Sequence, residues 1–109
     1  MSRKRLKKLL DETIRAVKIN DNIRVMLYPM KHKVASISLK TGVIRLNKDY
    51  VFRLDDSALK YILIHELIHY KMKSLSHNKA FYEELRKYYP DKVRKFVEKQ
   101  IAEYVLSNY

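Results

Sequence analysis

Two imidazoles four residues apart, with a carboxylate beside the first, make His65-Glu66-Leu67-Ile68-His69 the stretch of this chain best suited to chemistry. On a helix, residues i and i+4 share a face, so both rings can reach one metal ion. Glu66 is turned roughly 100° round the axis from His65, at ~3.6 residues per turn, and can touch a metal-bound water without being a ligand. Zinc hydrolases use this arrangement to acidify a water and move its proton.

The competing reading is a surface helix that carries these residues by coincidence. The flanks argue against it. Tyr61-Ile62-Leu63-Ile64 precedes the motif and Leu67 and Ile68 lie inside it, so the helix is apolar nearly all round and belongs in the interior. Ionisable side chains on a buried helix need partners, and a metal supplies them. Lys71 departs from the usual flanking pattern, standing where an apolar residue is common.

Catalytic zinc ordinarily takes three protein ligands and leaves a fourth position for water. Beyond His65 and His69 the candidates are His77, Glu83, Glu84 and, more remotely, His32. A helix end and a short turn can fold His77 back onto the metal. Glu83 and Glu84 lie deeper in the next helix, where glutamate-ligated peptidases place theirs. His32 sits in the polar turn Lys31-His32-Lys33 and is expected in solvent. A third ligand six residues after His69, following a glycine turn, is excluded, because those positions hold Leu75 and Met72.

The elements that must position these groups are legible from periodicity. Leu6, Leu9, Leu10, Ile14 and Val17 form one stripe of an amphipathic helix over about residues 3–18. Packing on the core is its expected fate, in preference to a membrane surface. Alternation predicts strands over about 23–28 and 35–39, Thr41-Gly42 a tight turn, and Val43 to Leu46 the returning strand. Asp55-Asp56-Ser57 offers an N-cap for a motif helix to about Lys73, which Ser74-Leu75-Ser76 breaks. A further helix covers about 78–88 and stops before Pro90. A last one, capped by Asp91, runs to about Leu106 with Val93, Phe96, Val97, Ile101, Tyr104 and Val105 on its apolar stripe. The fold class is α+β: a small three-stranded sheet, an N-terminal helix, the motif helix and two C-terminal helices.

The 109 residues suit one domain, 1–109, with enough apolar side chains, 47%, to bury a core. One glycine and two prolines leave no visible linker. The absence of cysteine removes thiolate metal sites and fits a reducing, cytoplasmic setting. No apolar run approaches the ~18 residues of a membrane span, and no apolar region follows the basic N-terminus as a secretory signal would require. The net charge of +12 raises the odds of an acidic or nucleic-acid partner, but only Arg3-Lys4-Arg5 with Lys7-Lys8 forms a local cluster, and a solvated lysine-rich surface is the favoured reading.

Residues 34–81, from Val34-Ala35-Ser36-Ile37-Ser38 through Gly42-Val43-Ile44-Arg45-Leu46-Asn47 and the motif to His77-Asn78-Lys79-Ala80-Phe81, resemble the minigluzincins, very small zinc metallopeptidases. Their core is similar to the catalytic domains of HtpX and the CAAX prenyl protease. SprT-like and WLM peptidases share the strand, motif helix and His-x3-Phe order. The resemblance implies a zincin-like fold, a histidine third ligand at His77, and a peptide substrate added as a strand beside Ala35 to Leu39. It also implies latency through a C-terminal segment, loosely residues 91–109.

The expectation is therefore a zinc-dependent endopeptidase. Zinc would be held by His65, His69 and His77, with Glu66 taking the proton of the attacking water and passing it to the leaving amine. Tyr70, Tyr88 and Tyr89 are the tyrosines nearest the motif, and none is assigned to the oxyanion. The last helix could cover its own cleft or exchange with a second copy of the chain to form a homodimer. The alternatives are a metal-binding domain that no longer cleaves, which Glu66 argues against, and a basic, DNA-associated protease or adaptor of SprT-like manner.

Overall fold

A computed structural model describes residues 3–31, 33–51 and 53–107, with side chains described as far as Tyr104. His32 and the side chain of Val105 lie outside this set. The order of elements is α1 (Arg3–Val17), β1 (Arg24–Tyr28), β2 (Ala35–Ile37), β3 (Val43–Asn47), α2 (Lys48–Val51), α3 (Asp56–Met72), α4 (Lys79–Arg86) and α5 (Asp91–Ser107). This is the α+β class expected. The short helix α2 was not foreseen.

Helix α3 is the hub. Helices α1, α4 and α5 and strand β2 all pack against it. Its sequence is apolar on every side, and eleven of its residues are buried, among them Leu59, Leu63, Leu67 and Ile68. The Asp55 side chain caps its start, accepting from Ala58 N at 2.8 Å. Its end is closed by Lys73 in the left-handed region (φ 53°), whose N–H reaches the carbonyls of His69 and Tyr70. The exception at Lys71 has a structural reason: its ammonium leaves the core and meets Glu84 of α4 at 3.1 Å.

The sheet has the order β1-β3-β2. Strands β2 and β3 are the expected antiparallel hairpin, pairing Ala35 with Leu46 and Ile37 with Ile44. Gly42 makes the turn possible at φ 72°, and a Cβ there would lie 3.2 Å from Asn22 O and Ile23 Cδ1. Strand β2 ends at Ile37 rather than Leu39, because Ser38 already turns, accepting from Gly42 N at 2.9 Å. Strand β1 pairs in parallel with the far side of β3, which leaves β2 as an edge.

The start of that edge is pinned by a side chain of β3. Asn47, fully buried, donates through Nδ2 to the carbonyls of Met30 at 3.0 Å and Lys33 at 2.9 Å, and its backbone N–H reaches Val34 O at 2.8 Å. One side chain thus fixes where the chain enters β2.

Candidate metal centre

Helix α3 presents His65 and His69 one turn apart on the same face. The segment after Lys73 doubles back and Asn78 restarts helix, its side chain accepting from Phe81 N at 3.0 Å. That cap sits directly after His77 and brings its ring to the other two. The Nε2 atoms of His65 and His77 are 3.2 Å apart, and those of His69 and His77 are 3.1 Å apart.

These separations carry information. Nitrogens held ~2.0–2.1 Å from a tetrahedral ion are ~3.3 Å from one another. Three imidazole nitrogens at this spacing crowd their lone pairs around one point, an arrangement a cation relieves. His69 Nδ1 lies 2.9 Å from Ser74 O, so it donates there and leaves Nε2 as a lone pair facing the group. Burial holds His65 at about 3, with neighbouring His69 and His77 adding to the effect, and burial lowers His69 as well. Neutral imidazoles are the ligand form. The donor set fits a divalent cation.

Phe81 braces all three rings. It is 1% exposed, stacks on His69 with centroids 4.4 Å apart and 15° between planes, and meets His65 and His77 edge-on at 5.0 and 5.1 Å. Glu66 sits beside the cluster, 9% exposed, and burial raises its carboxyl to about 7, with the Lys33 ammonium pulling the other way. A carboxyl near neutrality can both accept and return a proton.

The other ligand candidates are engaged elsewhere. Glu84 is held by Lys71 and by Lys87 at 2.9 Å, which lowers its carboxyl below the usual range, and Glu83 faces Lys79. Tyr70 donates to Asp21 at 2.7 Å, and Tyr89 packs edge-on against Tyr61.

The histidines open into a cleft of about 690 Å³. One wall is the β2 edge, Lys33 to Ile37, and another is α5 through Glu98, Ile101 and Ala102. Tyr61 and Ile62 of α3 line it between them. The Tyr61 hydroxyl donates to Glu98 Oε2 at 2.5 Å, and Arg94 Nη1 donates to Glu98 Oε1 at 2.9 Å. Sequence reasoning took Tyr61 only as part of the apolar run and did not single out Glu98 or Lys33. The one available signal for Tyr61 was its place one turn before His65.

Comparison with known proteins agrees with this geometry. Residues 2–104 match the family model described as YgjP-like, metallopeptidase domain. An uncharacterized protein of Methanocaldococcus jannaschii is 43% identical over 88 residues, 81% of this chain and 80% of its own length. The structure is similar to that of the metallopeptidase zymogen jannalysin of the same organism, with TM-score 0.83 and 39% identity over 91% of this chain and 95% of that one. It is also similar to the metallopeptidase zymogen abylysin of Pyrococcus abyssi, with TM-score 0.81 and 32% identity over 87% of this chain and 90% of that one.

Proposed function

This chain belongs to the YgjP-like metallopeptidase family, and from that premise we propose a zinc-dependent endopeptidase whose ligands are His65, His69 and His77 and whose proton carrier is Glu66. The observation that carries the reading is the convergence of three imidazole nitrogens, all within 4.8 Å of one another, beside a buried carboxyl near neutrality.

A bound zinc ion would supply Lewis acidity, acidifying a water and polarising a carbonyl. The remaining work belongs to the chain. Ser74 O and Phe81 fix the orientation of the His69 ring. Glu66 takes a proton from the attacking water and delivers it to the departing amine nitrogen. Burial of Glu66 beside the cluster keeps its carboxyl close to the proton it carries.

Substrate binds as an extended strand beside Ala35 to Leu39. The edge position of β2 and its place in the cleft wall support this, because an unpaired edge offers backbone donors and acceptors to a peptide. Residues 91–109 act as a latency segment. The support is that Glu98, Ile101 and Ala102 of α5 line the same cleft, and that two similar solved proteins are zymogens. We place the protein in the cytoplasm on its cysteine-free composition. No helix among the described residues is long and apolar enough to cross a membrane.

The decisive experiment pairs metal analysis with a general peptidase assay on the chain intact and trimmed near residue 91. Glu66→Ala should abolish turnover and leave the metal bound. Loss of the metal from that variant, or unchanged hydrolysis, would refute its role. Equal activity before and after trimming would refute latency and leave the peptidase reading standing.

A further inference from the structure

The +12 charge is not spread evenly. Residues 1–48 carry thirteen Lys and Arg against three Asp and Glu, whereas residues 49–109 carry eleven against nine. In the second part the acids are largely matched in place: Glu84 with Lys71 and Lys87, Asp91 with Arg86, Glu98 with Arg94, Glu103 with Lys99. Between 18 and 48 the sole acid is Asp21, and it accepts from the Tyr70 hydroxyl. The catalytic half is close to balanced, so the excess belongs to the half that builds α1 and the sheet.

Six of these cations lie on α1, and two, Arg24 and Arg45, stand on one face of the sheet. Ile44, Leu46 and Ile37 turn inward to the core. Alternation therefore sets Arg24, Met26 and Tyr28 of β1 on the other face with Val43, Arg45 and Asn47 of β3; Val43 and Asn47 are covered there, and Arg24, Met26, Tyr28 and Arg45 are exposed. Register sets Met26, Arg45 and Ser36 in one row across the three strands, with Arg24 and Tyr28 one step to either side on β1. Met26 is 46% and Tyr28 39% exposed, and the Arg45 guanidinium stands 5.4 Å above the Tyr28 ring. Exposed Lys18 and Lys40 lie in the segments before β1 and between β2 and β3, and exposed Lys48 begins α2 directly after β3.

We propose that this outer face of the sheet binds single-stranded nucleic acid, through the phosphates at Arg24 and Arg45 and through base stacking on Tyr28. Two exposed arginines on one face complement a polyanion. The choice among polyanions comes from the aromatic. A duplex buries its base faces and would meet only the cations, and an acidic peptide has nothing to lay on a flat ring. A splayed strand offers both a phosphate and a π-face at each step, which is what a row of cations interleaved with an exposed aromatic takes up. Strand β2 belongs to both surfaces, with Ser36 in the row just described and in the cleft wall. A protein carried on the bound strand would thus be delivered beside the cleft. The inference is independent of the peptidase reading and survives its failure.

The test uses the full chain and fluorescein-labelled 20-nucleotide oligo(dT) and oligo(U), read by anisotropy across a salt series. Binding should weaken with salt, with log K falling, for each tenfold rise in salt, by about 0.7 per phosphate contact of a single strand. Tyr28→Ala should weaken binding by about 10-fold or more at an unchanged salt slope, as expected for loss of one stacked base. Arg45→Glu should weaken it and flatten the slope. Lys95→Glu on α5, a charge reversal of equal size on the balanced half, should leave binding within about 2-fold. Thermal melts check that each variant is folded, and Arg24→Ala serves if Arg45→Glu is not. Absence of binding at low salt overturns the proposal. So does an equal loss from Lys95→Glu, no effect of Tyr28→Ala, or poly-glutamate or duplex DNA binding as tightly as the single strand.

Discussion

Replacing Phe81 by leucine separates packing from metal holding. The ring is 1% exposed and touches His65, His69 and His77 with centroids 4.4 to 5.1 Å away. An aromatic pair contributes about 0.5–1.5 kcal/mol beyond the area it buries. Leucine fills most of the volume, so the loss in unfolding free energy should be about 1–2 kcal/mol, against about 3–5 kcal/mol for alanine, which also leaves a cavity. The informative quantity is the metal. Without the flat face against His69, that ring keeps Ser74 O and its neighbouring imidazoles, and all three rings lose their common stop. Groups that orient ligands are worth about 10–100-fold in affinity, so Phe81→Leu should weaken zinc binding by about 10-fold or more. Urea unfolding in chelator measures the first effect, and chelator competition at a temperature where the variant stays folded measures the second. A variant that loses stability and binds zinc as tightly as the parent would refute the bracing argument and reduce Phe81 to core filling.

Three further outcomes are expected. In chelated protein, burial raises Glu66 from 4.5 to about 7, so the native state keeps a proton that the unfolded state has lost, and the carboxyl's contribution to stability falls as pH rises through that window. Glu66→Gln should therefore gain on the parent by up to about 3 kcal/mol across it, at ~1.36 kcal/mol per pKa unit, and a difference that does not vary with pH would count against it. Asn78→Ala and Asp55→Ala each remove an N-cap at about 1 kcal/mol, yet only the first should also weaken metal binding, because only Asn78 adjoins a proposed ligand, His77. Equal effects of the two caps on metal affinity would show that the α4 start does not position His77. Glu84→Gln should destabilise the chain most above the normal carboxylate range and converge on the parent in acid, since Lys87 and Lys71 lower its carboxyl, and metal content should not change. Loss of metal from Glu84→Gln would reinstate Glu84 as a ligand.

Much of the site was legible because helices impose a fixed period. Four-residue spacing puts His65 and His69 together whatever surrounds them, and apolar residues on every side of α3 require burial. His77 was reachable by chain length alone, but Glu83 and Glu84 were equally within reach. What sets them apart is that His77 meets the other two rings while Glu84 is turned to Lys71, and both contacts depend on how the segment after α3 and α4 lie against α3. Phe81 carries no sign in sequence that its ring will face three histidines rather than the core at large.

The same division runs through the fold. Alternation and a glycine turn determine the β2–β3 hairpin, because both strands and the turn are contiguous. The parallel docking of β1 on β3 is a contact between segments separated by β2 and its flanking turns, and nothing local encodes it. Yet it is this pairing that leaves β2 free at the edge and gathers Arg24, Tyr28 and Arg45 on one surface. Likewise the sequence determined that α5 has an apolar stripe, while tertiary packing decided that Val97 is buried and Ile101 lines the cleft, that Val93 and Phe96 stay exposed against the expectation for the stripe, and that Glu98 meets Tyr61. The chemistry was written in the short-range spacing of side chains on one helix. Access to it was decided by long-range packing, where pairings between distant segments compete on total buried area and polar satisfaction rather than on any local pattern.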